Sequence, residues 1–273
     1  MGNGKSSCKG SEKPSLACPI ALTCLFWLDS VLDLNVQKPT VFSESRGDNV
    51  RISNEELAKV IDSTAVNATA TRSEIEKLCK EAVHYKFGCV CVNPTYTKLA
   101  ATLLENSGVR VCSTVGFPFG SSVSEIKALE AVKAIENGAV ELDMVINLGA
   151  LKSKDYKTVE QDIKAVVDAK RISKEITVKV IIETSCLTNR EKVTTCKLAK
   201  KTGADFVKTS TGFFGSGATA EDVRLMRQTV GKGMGVKAAG GIRNYADAIR
   251  MIEAGANRIG TSAAVAIIKG APR

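Results

Sequence analysis

Four charged side chains interrupt segments that are otherwise apolar. They are Asp143 in Glu-Leu-Asp-Met-Val, Lys179 in Val-Lys-Val-Ile-Ile, Lys208 in Asp-Phe-Val-Lys-Thr-Ser-Thr, and Lys237 in Gly-Val-Lys-Ala-Ala-Gly-Gly. Aspartate and lysine are almost never fully buried without partners. Lodging several in one core costs several kcal/mol unless they pair or change protonation state. One lysine alone can snorkel to a rim, but several converging on one end of a core suggest chemistry. An unprotonated lysine amine attacks a carbonyl to form a Schiff base. The unperturbed pKa of about 10.4 opposes this, and desolvation beside a second ammonium lowers it. An aspartate in the same pocket carries protons to and from a substrate hydroxyl, directly or through a water. Two lysines and one aspartate are thus a coherent set for imine-based carbon–carbon bond chemistry, with no metal or other cofactor required. The single histidine, His84, excludes a zinc centre built on two or three histidines, and a histidine-rich proton relay with it.

The elements that would bring these residues together recur along the chain from about residue 55. Strands are expected at Lys59–Thr64, Gly88–Asn93, Arg110–Phe117, Val140–Asn147, Thr177–Thr184, Ala204–Thr211, Val236–Gly241 and Arg258–Ser262. Between them, apolar residues at three- and four-residue spacing predict helices. These are Ser73–Tyr85, Val123–Asn137, Val159–Arg171, Arg190–Lys201, Ala220–Thr229 and Tyr245–Ala254. Three of these helices run into a glycine stop at Gly138, Gly203 and Gly255. Alternating helices and near-continuously apolar strands mean a parallel sheet covered by helices. Eight strands at about 27 residues per unit fit a (β/α)8 TIM barrel. A doubly wound sheet usually has fewer strands and a glycine-rich first turn, and no GxGxxG follows any strand. The barrel domain is expected over residues 55–273, with residues 1–54 as a non-barrel N-terminal extension.

A barrel carries its active site at the C-terminal ends of the strands, where loops seven and eight commonly hold phosphate. Strand six runs into Ser210-Thr211-Gly212, strand seven into Gly240-Gly241, and strand eight into Gly260-Thr261-Ser262. Glycine there lets backbone N–H groups approach an anion, and the segment Ala263–Ile268 would present a helix N-terminus. Thr211, Gly212, Gly240, Gly241, Gly260 and Ser262 are therefore expected to bind a phosphorylated substrate, with Lys179 in the same pocket.

The segments ELDMVINLGALKSKDY, DFVKTSTGFFGSGATAEDV, VKAAGGIRNYADAIRMIEAGANRIGTS and VCVNPTY together resemble the deoxyribose-phosphate aldolases. The resemblance runs from about Leu57 to Ile268. It implies reversible cleavage of 2-deoxy-D-ribose 5-phosphate to D-glyceraldehyde 3-phosphate and acetaldehyde, within deoxyribose phosphate catabolism. By that pattern Lys208 forms the Schiff base and Lys237 lowers its pKa and joins proton transfer. Asp143 donates and accepts protons, and Thr64 and Cys91 line the pocket. The chain departs from the pattern in reading Asp62-Ser63-Thr64 where many members have Asp-His-Thr, and it ends at Arg273 without the tyrosine-ending tail of some members. Two other readings compete. One is a transaldolase-like enzyme acting on another sugar phosphate, and the other is a catalytically weak homologue serving as a scaffold.

Composition bounds the setting. The chain has 273 residues, 44% of them hydrophobic and 25% charged, with a net charge of +9. Most lysines alternate with acids on expected helical faces, as Glu74 with Lys77 and Glu125 with Lys127, so the charge reads as solvated surface. It would attract acidic small molecules, and no cluster points to nucleic acid. Nine cysteines, an odd number without a CxxC pair, read as reduced thiols in a cytoplasmic protein. No stretch reaches the roughly 20 apolar residues of a membrane span. The opening Met-Gly-Asn-Gly-Lys-Ser fits a myristoylation pattern at Gly2, with Cys8 as a palmitate candidate. Leu16–Leu28 after three lysines resembles a signal peptide without a convincing cleavage site. Gly4-Lys5-Ser6 lacks the upstream glycine of a P-loop. The reading adopted is a plain extension, with membrane contact only if Gly2 is lipidated. A homo-oligomer is compatible with this picture.

Overall fold

The computed structural model describes residues 1–2 and 52–272. The chain divides into Met1–Gln37 and Lys38–Arg273, and all the secondary structure described below lies in the second unit. The lipidation-associated Cys8, the signal-like segment and the P-loop-like letters lie outside the described residues.

Eight parallel strands form a closed barrel in sequence order, with β1 (Ile61–Ala65) hydrogen-bonded to both β2 (Cys89–Val92) and β8 (Arg258–Thr261). Between them run β3 (Arg110–Val115), β4 (Glu141–Val145), β5 (Thr177–Ile181), β6 (Phe206–Lys208) and β7 (Gly235–Ala239). The expected strands all appear. β6 is shorter than expected: the Thr209 N–H still reaches the Lys237 carbonyl at 3.0 Å, but by Thr211 the N–H turns to the Glu183 carboxylate.

The predicted helices are present as α2 (Arg72–Tyr85), α4 (Ser124–Glu136), α6 (Tyr156–Val167), α7 (Asn189–Lys201), α8 (Ala220–Val230) and α9 (Tyr245–Glu253). All of these except α4 start at a side-chain cap. Thr71 with Glu74 and Thr188 with Glu191 close reciprocal capping boxes that satisfy orphan N–H groups. Gly138 follows α4 with φ 95°, a left-handed stop that a side chain would strain. Four short helices complete the ring: α1 (Asn54–Lys59), α3 (Thr97–Leu103), α5 (Leu148–Lys152) and α10 (Ala264–Lys269). Periodicity missed α1, α3 and α5 because seven residues or fewer barely complete two turns.

Strand alternation divides the core in two. Outward residues such as Val90, Val111, Leu142, Met144, Val178, Val207, Val236 and Ile259 are fully or nearly fully buried against the helices. The inward face is different. A barrel of this kind is usually filled by bulky branched side chains, but here it holds Asp62, Cys91, Cys112, Glu141, Asp143, Lys179, Lys208, Lys237 and Arg258. Phe206 lies two residues before Lys208 and so on the same face. Its ring fills the space beside Gly235, where a Cβ would meet it at 2.1 Å.

One surface expectation is overturned. Lys127 does not share a solvated face with Glu125. It is fully buried, 2.6 Å from Asp162 and donating to the Val145 carbonyl at 2.8 Å. The same Asp162 accepts from the Asn147 N–H at 3.0 Å. The pair thus fastens α4 and α6 to the end of β4. A lysine on a largely apolar helix face can point inward when a carboxylate waits there, and helical spacing alone could not reveal Asp162.

Candidate active site

The barrel places Asp143 at the centre of its charged interior. One carboxylate oxygen, Oδ2, lies 2.7 Å from the Nζ of Lys208 and 2.7 Å from that of Lys237. The other, Oδ1, accepts from Lys179 at 2.9 Å and lies 3.1 Å from the Cys112 sulfur. Register explains the convergence: β4 pairs Asp143 with Lys179 on β5, and β6 pairs Lys208 with Lys237 on β7. Asp143, Lys179 and Lys237 are fully buried, whereas 4% of Lys208 is exposed.

A second layer supports this one from below. Asp62 on β1 is 2.5 Å from Lys237 Nζ and accepts from the Arg258 Nε at 2.8 Å. Glu141 on β4 is 2.5 Å from Lys179 Nζ and 2.8 Å from Arg110 Nε, and it also contacts Arg258. Within these two layers, three buried carboxylates (Asp62, Glu141 and Asp143) face four buried cations (Lys179, Lys208, Lys237 and Arg258). There is one cation in excess, so one lysine can give up its proton without leaving a buried acid unpaired.

Burial alone would raise the Asp143 carboxyl, but Lys179, Lys208 and Lys237 outweigh it and hold the group well below the usual carboxylate range. Asp62 is likewise held down against burial by Arg258, Lys237 and Lys179. Burial works to deprotonate Lys237, yet Asp143 and Asp62 prevail and keep it charged. Lys179 is held protonated against the same desolvation by Asp143 and its other anionic neighbours. Cys89 is pushed up by burial, and Cys91 by its hydrogen bond to Cys112 together with burial, so both are thiols.

The expected site residues separate into three groups. Lys208, Lys237 and Asp143 come together in hydrogen-bond contact. Cys91 lies beside them, 3.9 Å from Asp143 Oδ2, and Thr64 is its register partner on β1. Gly212, Gly241 and Ser262 reach the exposed C-terminal rim. Gly240 lies just inside that rim. A Cβ placed on it would come within 3.5 Å of Gly212 Cα and 2.9 Å of Gly217 Cα, so the loops after β6 and β7 meet there through glycine.

Three residues take places other than those expected. Lys179 is fully buried and locked among Asp143, Glu141 and Cys112. Gly260 lies within β8, where a Cβ would meet Lys237 Cε at 3.0 Å, so its smallness makes room for that lysine. Thr211 is buried, and both its donors are spent: its N–H reaches Glu183 at 3.0 Å and its hydroxyl does so at 2.5 Å.

Reasoning from charged strand residues passed over Asp62, Glu141 and Arg258, although the same rule could have found them. Glu141 precedes Asp143 by two residues and must share its face. Glu183 is likewise a charge inside the expected strand Thr177–Thr184, whereas Cys112 carries no such signal.

Two sets of groups in the barrel could ligate a metal: Cys91, Cys112 and Asp143, and Asp62, Cys89 and Glu141, each with ligand atoms within 4.8 Å of one another. In both sets the carboxylates already bond ammonium or guanidinium groups. An added cation would have to displace the protein's own.

Residues 56–270 match the DeoC/LacD family aldolase. The deoxyribose-phosphate aldolase of Clostridium perfringens is 58% identical over 216 residues, covering 79% of this chain and 96% of the relative. That of Thermococcus kodakarensis is 58% identical over 219 residues, 80% of this chain and 97% of the relative. Among solved structures, the deoxyribose phosphate aldolase of Aeropyrum pernix, described as a unique tetramer, superposes with a TM-score of 0.74 at 38% identity. It covers 80% of this chain and 91% of its own. The barrel, its charged interior and these likenesses agree: the chain belongs to the DeoC/LacD family of aldolases.

Proposed function

We propose that this protein is a class I aldolase that reversibly cleaves 2-deoxy-D-ribose 5-phosphate to D-glyceraldehyde 3-phosphate and acetaldehyde through a Schiff base on Lys208. The observation that carries the reading is the shared carboxylate of Asp143, bonded at 2.7 Å to both Lys208 and Lys237.

The charge balance favours Lys208 as the nucleophile. Lys179 touches three carboxylates and Lys237 two, while Lys208 touches Asp143 alone and is the lysine nearest the mouth. Its amine adds to the sugar C1 carbonyl, and loss of water gives the imine. Asp143 stands where it can take the proton of the C3 hydroxyl as the C2–C3 bond breaks, releasing glyceraldehyde 3-phosphate and leaving an enamine on Lys208. Lys237, held charged, supplies positive potential and a proton path at the same carboxylate. Protonation of the enamine and hydrolysis return acetaldehyde and the free lysine. Lys179 and the Asp62–Arg258 pair fix Asp143 and Lys237 in place. The phosphate would lie on the rim glycines Gly212 and Gly241 and on Ser262.

The barrel domain is read as beginning near residue 55, since α1 opens at Asn54. No helix among the described residues is long and apolar enough to cross a membrane. The six described cysteines are unbridged, which supports a cytoplasmic location. The tetramer of the Aeropyrum pernix relative supports a homo-oligomer here.

The test is acetaldehyde release from 2-deoxyribose 5-phosphate by the purified chain. Borohydride reduction in the presence of acetaldehyde should then leave a two-carbon adduct on Lys208, and Lys208→Ala should abolish both adduct and turnover. Adduct on Lys237 with Lys208 unmodified would reverse the assignment. Turnover of larger ketose phosphates without acetaldehyde chemistry would favour the transaldolase-like reading instead.

A further inference from the structure

The carboxylate of Glu183 is fully buried, two residues beyond β5, and no step above uses it. Its backbone is left-handed, with φ 54° and ψ 69°, a conformation in which a glutamate is uncommon. Such strain persists only where the surroundings impose it, and it gathers at functional sites. The imposing contacts come from Thr211, whose N–H and hydroxyl both donate to one Glu183 oxygen at 3.0 Å and 2.5 Å. Because the acceptor carries charge, these bonds are stronger than neutral ones. The Thr211 oxygen in turn accepts the Phe213 N–H at 3.1 Å, which closes the chain around Gly212 at φ 88°. A second strut comes from two residues beyond Glu183, as the Ser185 hydroxyl donates to the Phe214 carbonyl at 3.2 Å.

The turn held in this way looks shaped for a ligand. Nothing lies within 4 Å of a Cβ placed on Gly212, although Gly240 approaches from the side. Ser210, two residues earlier, buries a hydroxyl that has no hydrogen-bond partner. An open glycine turn beside an unpartnered buried hydroxyl, one turn of chain beyond Lys208, suits the end of the substrate that carries its oxyanion.

We infer that Glu183 is a positioning residue that sets the preference for a phosphorylated over an unphosphorylated sugar: it takes both donors of Thr211 and so fixes the Gly212 turn as one wall of a phosphate cradle. The inference rests on the function proposed above. Glu183 acts through Thr211 and does not touch the phosphate. Its influence should therefore reach the phosphate end of the substrate and spare the imine end.

The experiment compares full-length wild type with Glu183→Gln, which keeps size and loses charge. Three quantities are read: KM and kcat for 2-deoxyribose 5-phosphate, kcat/KM for unphosphorylated 2-deoxyribose, and the inhibition constant of inorganic phosphate. Cleavage by the wild type tests the underlying reading separately. In the variant, KM for the phosphorylated sugar and the inhibition constant of phosphate should both rise about tenfold, the scale of one lost charge-assisted hydrogen bond. The loss on the unphosphorylated sugar should be several-fold smaller. Equal losses on both sugars, or an unchanged phosphate constant in a folded variant, would overturn the inference. Should Glu183→Gln not fold, Thr211→Val must show the same selective loss and Thr211→Ser must restore the preference. Failure of that pair to differ would overturn it equally.

Discussion

Replacing Asp143 by asparagine removes one negative charge and leaves the shape almost unchanged. Asp143 is fully buried, with Lys179, Lys208 and Lys237 each within 2.9 Å of its oxygens. In the variant those three ammonium groups face a neutral amide. Removing one partner of a buried ion pair costs about 3–5 kcal/mol, because the other is left uncompensated. For a domain of this size each kcal/mol lowers Tm by about 2–4 °C, so the variant should melt roughly 10 °C below wild type. Turnover should fall further than stability requires, since a positioned proton carrier contributes about 10²–10⁴-fold. Imine formation needs only the Lys208 amine, so slow borohydride trapping with acetaldehyde should persist. The measurements are a thermal melt, steady-state cleavage, and trapped label per chain. Adding Lys208→Met should recover part of the lost stability by removing the lysine left without a carboxylate partner, a coupling that a double-mutant cycle would expose. A variant that melts with wild type, and whose trapping falls in step with turnover, would refute the central place given to this carboxylate.

Acid should destabilise the barrel through Glu141, whose carboxyl burial would raise but which Arg258, Lys179 and Arg110 hold at about 2, below its ordinary 4.5. A depressed acid stabilises above its unfolded pKa, so its share, roughly 3 kcal/mol, is intact at pH 5 and lost as pH falls from 4.5 towards 2. An acid titration followed by circular dichroism checks this, and Glu141→Gln should flatten that part of the curve. Gly212→Ala places a methyl where no protein atom lies but where a phosphate oxygen is proposed to sit. It should raise KM for the phosphorylated sugar at least several-fold more than for the free sugar. Deleting residues 1–50 should leave the melt and the cleavage rate within about twofold of full length, the scale of surface changes. Loss of either would move the domain boundary toward the N-terminus.

The barrel was legible because its outward strand faces are almost purely aliphatic and because glycine stops punctuate the helices. Both are local signals. The three central residues were legible for the opposite reason, as charges in segments that desolvation should have kept apolar. Arg258 opens the expected strand Arg258–Ser262, and a charge at a strand end reads as easily solvated. Its burial follows from β8 closing on β1, which brings it to Asp62. Lys127 was misplaced for a related reason, since its partner Asp162 is 35 residues away in sequence. Glu183 falls inside the expected strand Thr177–Thr184, yet nothing local assigns it a role. Its importance lies in a backbone conformation and in a contact with Thr211 across 28 residues. Periodicity and composition report what a residue prefers, whereas these roles depend on which distant groups the topology delivers.

The closure of β8 onto β1 has a consequence for how the chain acquires its structure during synthesis. Arg258 is held by Asp62 from the first strand and by Glu141 from the fourth. It lies on β8, the eighth barrel strand in chain order. Until that last strand has left the ribosome, a nascent barrel of seven strands would have to enclose Asp62 and Glu141 without their guanidinium. Lys237, Lys179 and Arg110 would then have to balance these acids without it. Enclosing under-compensated carboxylates is costly, so a partly made chain gains little by sealing its interior early. The seam therefore acts as a completion check. Water stays in the half-built barrel until the final strand brings the missing charge, and the catalytic interior is desolvated only in a finished molecule.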